Sequence, residues 1–322
     1  MTLSYHDSAV WVVQTLFQDR NWALTYSEQG NGVHLGAGMN EHMIVSHDGV
    51  KTFVADFDPV GAYTGPPVMC LHGLTRNHKD FLGVIEPIRR MGRRVLALDV
   101  RGRGRSDWDP NPSNYNPLVY AQDVLTILNR LGLKRAVFLG TSMGGIITML
   151  VAAFSQSTVA GAILNDIGPE VDPAGLKRIQ GYVGKIGRAS NWEEAAAMIA
   201  VIGESAFPGK DAVFWEDFAR KTCIETPDGI LFDYDPAIAQ VANSGGTEAI
   251  PTLWDQYAAL APIPTAVIRG ALSDLLSADI VDRMKIAKPD LITAEVPNVG
   301  HAPTLEEPEA WTAIEAIIRQ TK

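Results

Sequence analysis

Residues 140 to 145 read Gly-Thr-Ser-Met-Gly-Gly, and few hexapeptides restrict a fold more. The stretch before them, Ala136 to Leu139, is apolar and of strand length, and Gly144 to Ser155 behind them is an almost wholly apolar helix candidate. A G-x-S-x-G turn joining a buried strand to a helix is a strained elbow that lifts a serine hydroxyl above a sheet edge. Its glycines let neighbouring backbone approach without side-chain collisions. The helix behind it aims its N–H groups and positive dipole end at the same point. Ser142 is therefore the candidate nucleophile.

The surrounding chain supplies the sheet that such an elbow needs. Met43 to Val45 and Thr52 to Ala55 flank Asp48-Gly49, the pattern of a hairpin. Pro67–Leu71, Val95–Val100, Ala136–Leu139 and Val159–Leu164 are continuous apolar runs suited to strands buried on both faces. Helical spacing separates them: Phe81, Val84, Ile85 and Ile88 share one face, as do Ala121, Val124, Leu128 and Leu131. The rhythm stops over 168–260, which offers amphipathic helices and no clear buried strand. It resumes with a strand at Thr265–Arg269, a helix at 278–287, a strand at Leu291–Val296 and a helix from Pro308, with Trp311, Ile314, Ile317 and Ile318 on its buried face. The expected fold is α/β: a doubly wound, mostly parallel sheet with helices on both faces, interrupted by a helical insert. Its core spans 41–167 and 261–322, and its cap spans 168–260. Residues 1–40 form an extension without a strong pattern, with a short helix at Val10 to Phe17 and a loop at Gly30 to Asn40.

A serine hydroxyl needs a base. Of seven histidines, His301 lies between the last strand and the last helix, on the carboxyl edge that carries Ser142. An acid must fix that imidazole. Asp274, just past the penultimate strand, is the expected one, and Asp166, past the strand ending near Leu164, is its competitor. Under that assignment Asp166 anchors the start of the insert. The backbone N–H groups of Leu74, after Leu71-His72-Gly73, and of Met143 are the candidate oxyanion hole. His72 itself reads as structural.

The segment Asp99-Val100-Arg101-Gly102-Arg103-Gly104-Arg105-Ser106-Asp107 lacks the third glycine of a dinucleotide fingerprint and runs into prolines, so it reads as a braced turn. Arg89, Arg90, Arg93 and Arg94 read as solvated loop charges. A formal charge of −10 without a basic block opposes nucleic-acid binding. The longest apolar runs fall short of the ~20 residues that cross a bilayer, and no leader pattern opens the chain. Two cysteines, Cys70 and Cys223, lie in no metal-ligand spacing; a reduced cytoplasmic protein is the simplest reading. No metal or organic cofactor is implied, and oligomeric state is left open.

Together the His-Gly turn (72–73), the D-x-R-G-x-G-x-S segment (99–106), the serine elbow (140–144) and the Asp274/His301 pair resemble the α/β-hydrolase family, in the serine branch with a helical cap between the sixth and seventh of eight strands. The resemblance runs from about residue 43 to 320. Ser142 stands where the family's dehalogenases and epoxide hydrolases carry Asp, and Leu74-Thr75-Arg76 replaces the lipase-like H-G-G-G run. It implies a hydrolase of a small to medium ester or lactone, apolar or aromatic to suit cap residues Tyr182, Trp192, Phe207, Phe214 and Trp215. The alternatives are a carbon–carbon hydrolase of ring-cleavage diketones with the same triad and, further off, a ligand-binding protein with little turnover.

Overall fold

The computed structural model describes residues 39–184, 187–244 and 252–322. The readings placed on Val10 to Phe17 and on 30–38 lie outside these residues. Asn40, expected in a loop, is already in the first strand. Strands β1 (Met39–Val45) and β2 (Lys51–Phe57) form the hairpin expected around Asp48-Gly49. Gly49 closes it at φ 90°, a conformation that costs a residue without a β-carbon nothing. The chain continues through β3 (Val68–Leu71), α1 (Leu82–Arg90), β4 (Val95–Asp99), α2 (Pro117–Arg130), β5 (Ala136–Thr141), α3 (Met143–Phe154) and β6 (Val159–Asn165). After the insert come β9 (Thr265–Gly270), α9 (Ala278–Ala287), β10 (Ile292–Val296) and α10 (Pro308–Gln320).

Eight strands make one sheet in the order β1-β2-β4-β3-β5-β6-β9-β10. β1 pairs antiparallel with β2 and β2 antiparallel with β4, and every other pairing is parallel. The apolar runs explain this layering. β3, β4 and β6 are buried at every residue, since helices cover both faces. Val84, Ile85 and Ile88, with Phe81 just ahead of them, form the buried face of α1, and Ile314, Ile317 and Ile318 that of α10. Pro308 occupies the first turn of α10, where its missing N–H costs no hydrogen bond.

The insert between β6 and β9 holds α4 (Pro173–Tyr182), α5 (Trp192–Gly203), α6 (Ala212–Thr222), β7 (Cys223–Thr226), β8 (Gly229–Phe232), α7 (Ala237–Ser244) and α8 (Trp254–Ala258). It is not purely helical: β7 and β8 form an antiparallel hairpin. Four-residue strands carry too little alternation to stand out from amphipathic helix. α8 packs on α3, and its buried Tyr257 donates its hydroxyl to Met284 O of α9 at 3.2 Å.

The basic cluster at 89–94 departs from its expected role. Arg93 is buried and donates to Pro66 O at 3.1 Å, Ile318 O at 2.7 Å and Thr321 O, tying β4 to the end of α10. Arg94 makes a two-pronged pair with Asp56 (2.8 and 2.6 Å), and Arg89 donates to Asp58 O at 2.7 Å. Of the four, Arg90 is the solvated one. The 99–107 segment is the braced turn expected. The Asp99 carboxylate accepts from the backbone of His78 (2.7 Å) and Arg105 (2.9 Å), while the fully buried Arg101 pairs with Asp48, Asp109 and Asp123.

Candidate active site

Ser142 sits at the end of β5 with φ 51° and ψ −113°, a conformation that costs of order 1–3 kcal/mol and needs its surroundings to hold it. The glycines show how tightly they do. A β-carbon on Gly140 would fall 2.4 Å from the Gly144 carbonyl, and one on Gly144 would fall 1.9 Å from Leu71 O of β3. Both positions therefore exclude any side chain. The Ser142 amide donates to Asn165 O at 2.9 Å, so the elbow is anchored to the neighbouring strand β6.

His301 lies in the β10–α10 loop, as expected, and its side chain is only 9% exposed. Its Nε2 is 2.9 Å from Ser142 Oγ, and its Nδ1 is 2.8 Å from Asp166 Oδ2. The carboxylate fixes the tautomer: Nδ1–H donates to Asp166, which leaves Nε2 to accept the serine proton.

The carboxylate that meets His301 is thus that of Asp166, where Asp274 was expected. Asp166 follows β6 directly and turns at φ 54°, a left-handed conformation that Asp tolerates better than most residues. Its amide still reaches Ile268 O of β9 at 2.7 Å, and its carboxylate is fully buried. Gly270 N–H donates to Oδ1 at 2.8 Å and Ser273 Oγ–H to Oδ2 at 2.5 Å. Asp274 lies four residues beyond the end of β9, far enough for the loop to turn it toward the cap. There Arg178 of α4 grips it in two prongs (2.6 and 2.8 Å) and holds its carboxyl below the usual carboxylate range. The Asp274 carbonyl also receives Gly175 N–H at 2.9 Å. Asp274 anchors the start of the insert, the place expected of Asp166, and Asp166 takes the place beside His301 expected of Asp274.

Residues 66–190 match the family model described as alpha/beta hydrolase fold. A 3-hydroxybutyrate-oligomer hydrolase of Cupriavidus necator is 35% identical over 249 residues, spanning 75% of this chain and 84% of that protein. The chain belongs to the α/β-hydrolase family. A crystal structure of an alpha/beta hydrolase from Novosphingobium aromaticivorans superimposes with a TM-score of 0.82 at 38% identity, covering 88% of this chain and 99% of the other. A 2-(acetamidomethylene)succinate hydrolase of Mesorhizobium japonicum is 25% identical over 76% of this chain and 85% of its own. By fold and kinship this protein is a serine hydrolase.

In this hydrolase the turn after β3 is built around His72, which is fully buried. Its Nδ1–H donates to Gly73 O (2.7 Å), and its Nε2 accepts Val100 N–H (3.0 Å). Arg103 donates to Leu74 O at 2.9 Å from the other side, so the 99–107 turn fixes the peptide that follows the His-Gly pair. Burial pushes the His72 imidazole down to about 4 from 6.5. Below pH 6.5 the unfolded chain therefore binds a proton that the folded one refuses until about pH 4. Stability is then lost as the pH drops through that window, by up to about 3 kcal/mol from this residue. Urea unfolding from pH 7 to 4 is expected to show a shallower decline in His72→Asn than in the parent; parallel declines would contradict this.

Ser142 and His301 open into a cavity of about 330 Å³ roofed by the cap. Tyr182, Phe207 and Phe214 of the cap aromatics line it, while Trp215 packs edge-on against Phe214 and Trp192 lies under the Arg220 guanidinium. Phe218 and Phe232, not among the cap aromatics singled out in the sequence, line it as well. Phe218 could have been found, since it lies one helical turn from Phe214. Ser273 and Asn165 were missed too. Asn165 Nδ2 bridges Thr141 Oγ1 (3.1 Å) and Pro303 O (2.9 Å), joining the serine strand to the histidine loop. Among the charged side chains that line it, Arg76 pairs with Asp80, Lys221 with Asp217, and Arg178 with Asp274. Among the described residues no three His, Cys, Asp or Glu side chains converge as a metal site, and no helix is long and apolar enough to cross a membrane.

Proposed function

We propose that this hydrolase cleaves small to medium carboxylic esters through an acyl-enzyme on Ser142, with short oligomers of a hydroxy acid as the substrate class. The observation that carries the reading is the relay from Ser142 Oγ through His301 to Asp166, with links of 2.9 and 2.8 Å. Ser142 Oγ attacks the ester carbonyl as His301 Nε2 takes its proton, and Asp166 stabilises the imidazolium. The N–H groups of Leu74 and Met143 receive the oxyanion, each such donor contributing about 2.7–4 kcal/mol to the barrier reduction. Collapse breaks the C–O bond, and Nε2 returns the proton to the leaving alkoxide. Water then attacks the acyl-enzyme by the same route, and Ser142 is regenerated.

The Cupriavidus relative supports the choice of substrate, since its name specifies 3-hydroxybutyrate oligomers. So does the cavity, whose volume lies at the small end for ligand sites and whose roof is apolar. The buried free thiols Cys70 and Cys223, both pushed up by burial, suit a protein of the reducing cytoplasm.

The test is turnover of 3-hydroxybutyrate dimer and trimer, p-nitrophenyl butyrate and a vinylogous 1,5-diketone under one set of conditions. The expected result is rapid cleavage of the esters, with a burst of nitrophenol equal to the enzyme present if deacylation is slow. Brisk turnover of the diketone alone would replace this reading with carbon–carbon cleavage.

A further inference from the structure

We propose that Ser273 is a positioning residue of the triad, holding Asp166 in the orientation that His301 requires. The inference rests on the assignment of Asp166 as the acid. Ser273 Oγ lies 2.5 Å from Asp166 Oδ2, the oxygen that also accepts His301 Nδ1–H. Two backbone amides converge on the same hydroxyl: Leu275 N–H at 3.2 Å and Leu276 N–H at 3.1 Å. A serine hydroxyl has one proton and two acceptor lone pairs. With both lone pairs engaged by N–H groups, the proton has one destination, the carboxylate. The direction of this hydrogen bond is therefore set by the backbone.

The carboxylate it serves has no access to solvent. Its oxygens are supplied by Gly270 N–H, Ser273 O–H and His301 Nδ1–H. Two of those three donors come from the end of β9 and the loop that follows it, and Ser273 N–H pins that loop to Gly270 O at 2.9 Å. The loop that supplies Asp274 to the cap thus also supplies the support for an acid on the adjacent strand. Without the Ser273 proton, Oδ2 keeps a single tether, to the imidazole that moves charge during turnover, and the carboxylate can rotate away from Nδ1.

Three variants test this: Ser273→Ala, Ser273→Thr and Asp166→Asn, assayed on p-nitrophenyl butyrate. Ser273→Ala is expected to lower kcat about 10-fold, the scale on which supporting residues act. KM should stay within about 2-fold, since the serine does not line the cavity. Ser273→Thr, which keeps the hydroxyl, should restore most of kcat. In proton NMR the far-downfield His301 Nδ1 proton should move upfield in Ser273→Ala, because the carboxylate that accepts it is no longer held in place. A parental kcat in Ser273→Ala beside a collapsed Asp166→Asn would overturn this inference alone. So would a Thr variant as slow as Ala. A parental kcat in Asp166→Asn would overturn the triad assignment and this inference with it.

Discussion

Asp166→Asn is expected to lower kcat by about 10⁴, whereas Asp274→Asn should stay within about 10-fold of the parent. An asparagine at 166 presents either an amide N–H or a neutral carbonyl to His301 Nδ1. The first forces the imidazole into the tautomer whose Nε2 carries the proton and cannot accept one from Ser142. The second leaves the imidazolium without a counter-charge in a buried setting, since the Asp166 carboxylate is inaccessible to solvent and within 2.8 Å of Nδ1. Asp274 has no such contact, as both of its oxygens are taken by Arg178. Its loss should loosen the junction of the β9 loop with α4 and cost the modest amount of a part-exposed ion pair, about 1 kcal/mol or less. Steady-state kinetics on both variants checks the contrast, and equal losses would contradict it.

The second large effect is at the nucleophile. Ser142→Ala should lower kcat by about 10⁶ and abolish labelling by a fluorophosphonate, while the protein still folds, because the strained φ at 142 is imposed by its neighbours rather than by the hydroxyl. His301→Ala should cost nearly as much. The double variant should be little slower than either single one, since the two groups act as a unit joined at 2.9 Å. Residual turnover would then come from the amides of Leu74 and Met143 and from substrate binding. Additive losses in the double variant would show that the two groups do not share one step.

What could be read from the chain and what could not follows from how local each constraint is. Gly140 and Gly144 betray the elbow because the backbone they admit is within one turn of chain and one strand of sheet. His301 was legible from the order of strands and helices. The choice of acid was not. Asp166 and Asp274 both follow Ser142, precede His301 and sit past a parallel strand, so order and edge are the same for both. The decision lies in a left-handed turn at Asp166 and in the reach of Arg178 across 96 residues. An Asn-Asp pair at a strand end is a faint cue to such a turn, as both residues tolerate positive φ. Arg93 was misread for a similar reason: its partners at the chain's C-terminal end, Ile318 and Thr321, lie more than 220 residues away. The β7–β8 hairpin escaped because four-residue strands show no period.

The most direct measurement is the rate at which a fluorophosphonate forms its adduct, with the modified residue located by peptide mass spectrometry, in the parent, Asp166→Asn and Asp274→Asn. An adduct on Ser142 is expected in all three, formed at parental speed with Asn at 274 and orders of magnitude more slowly with Asn at 166. An adduct on another residue, or the slow step appearing with the change at 274, would contradict the triad assignment.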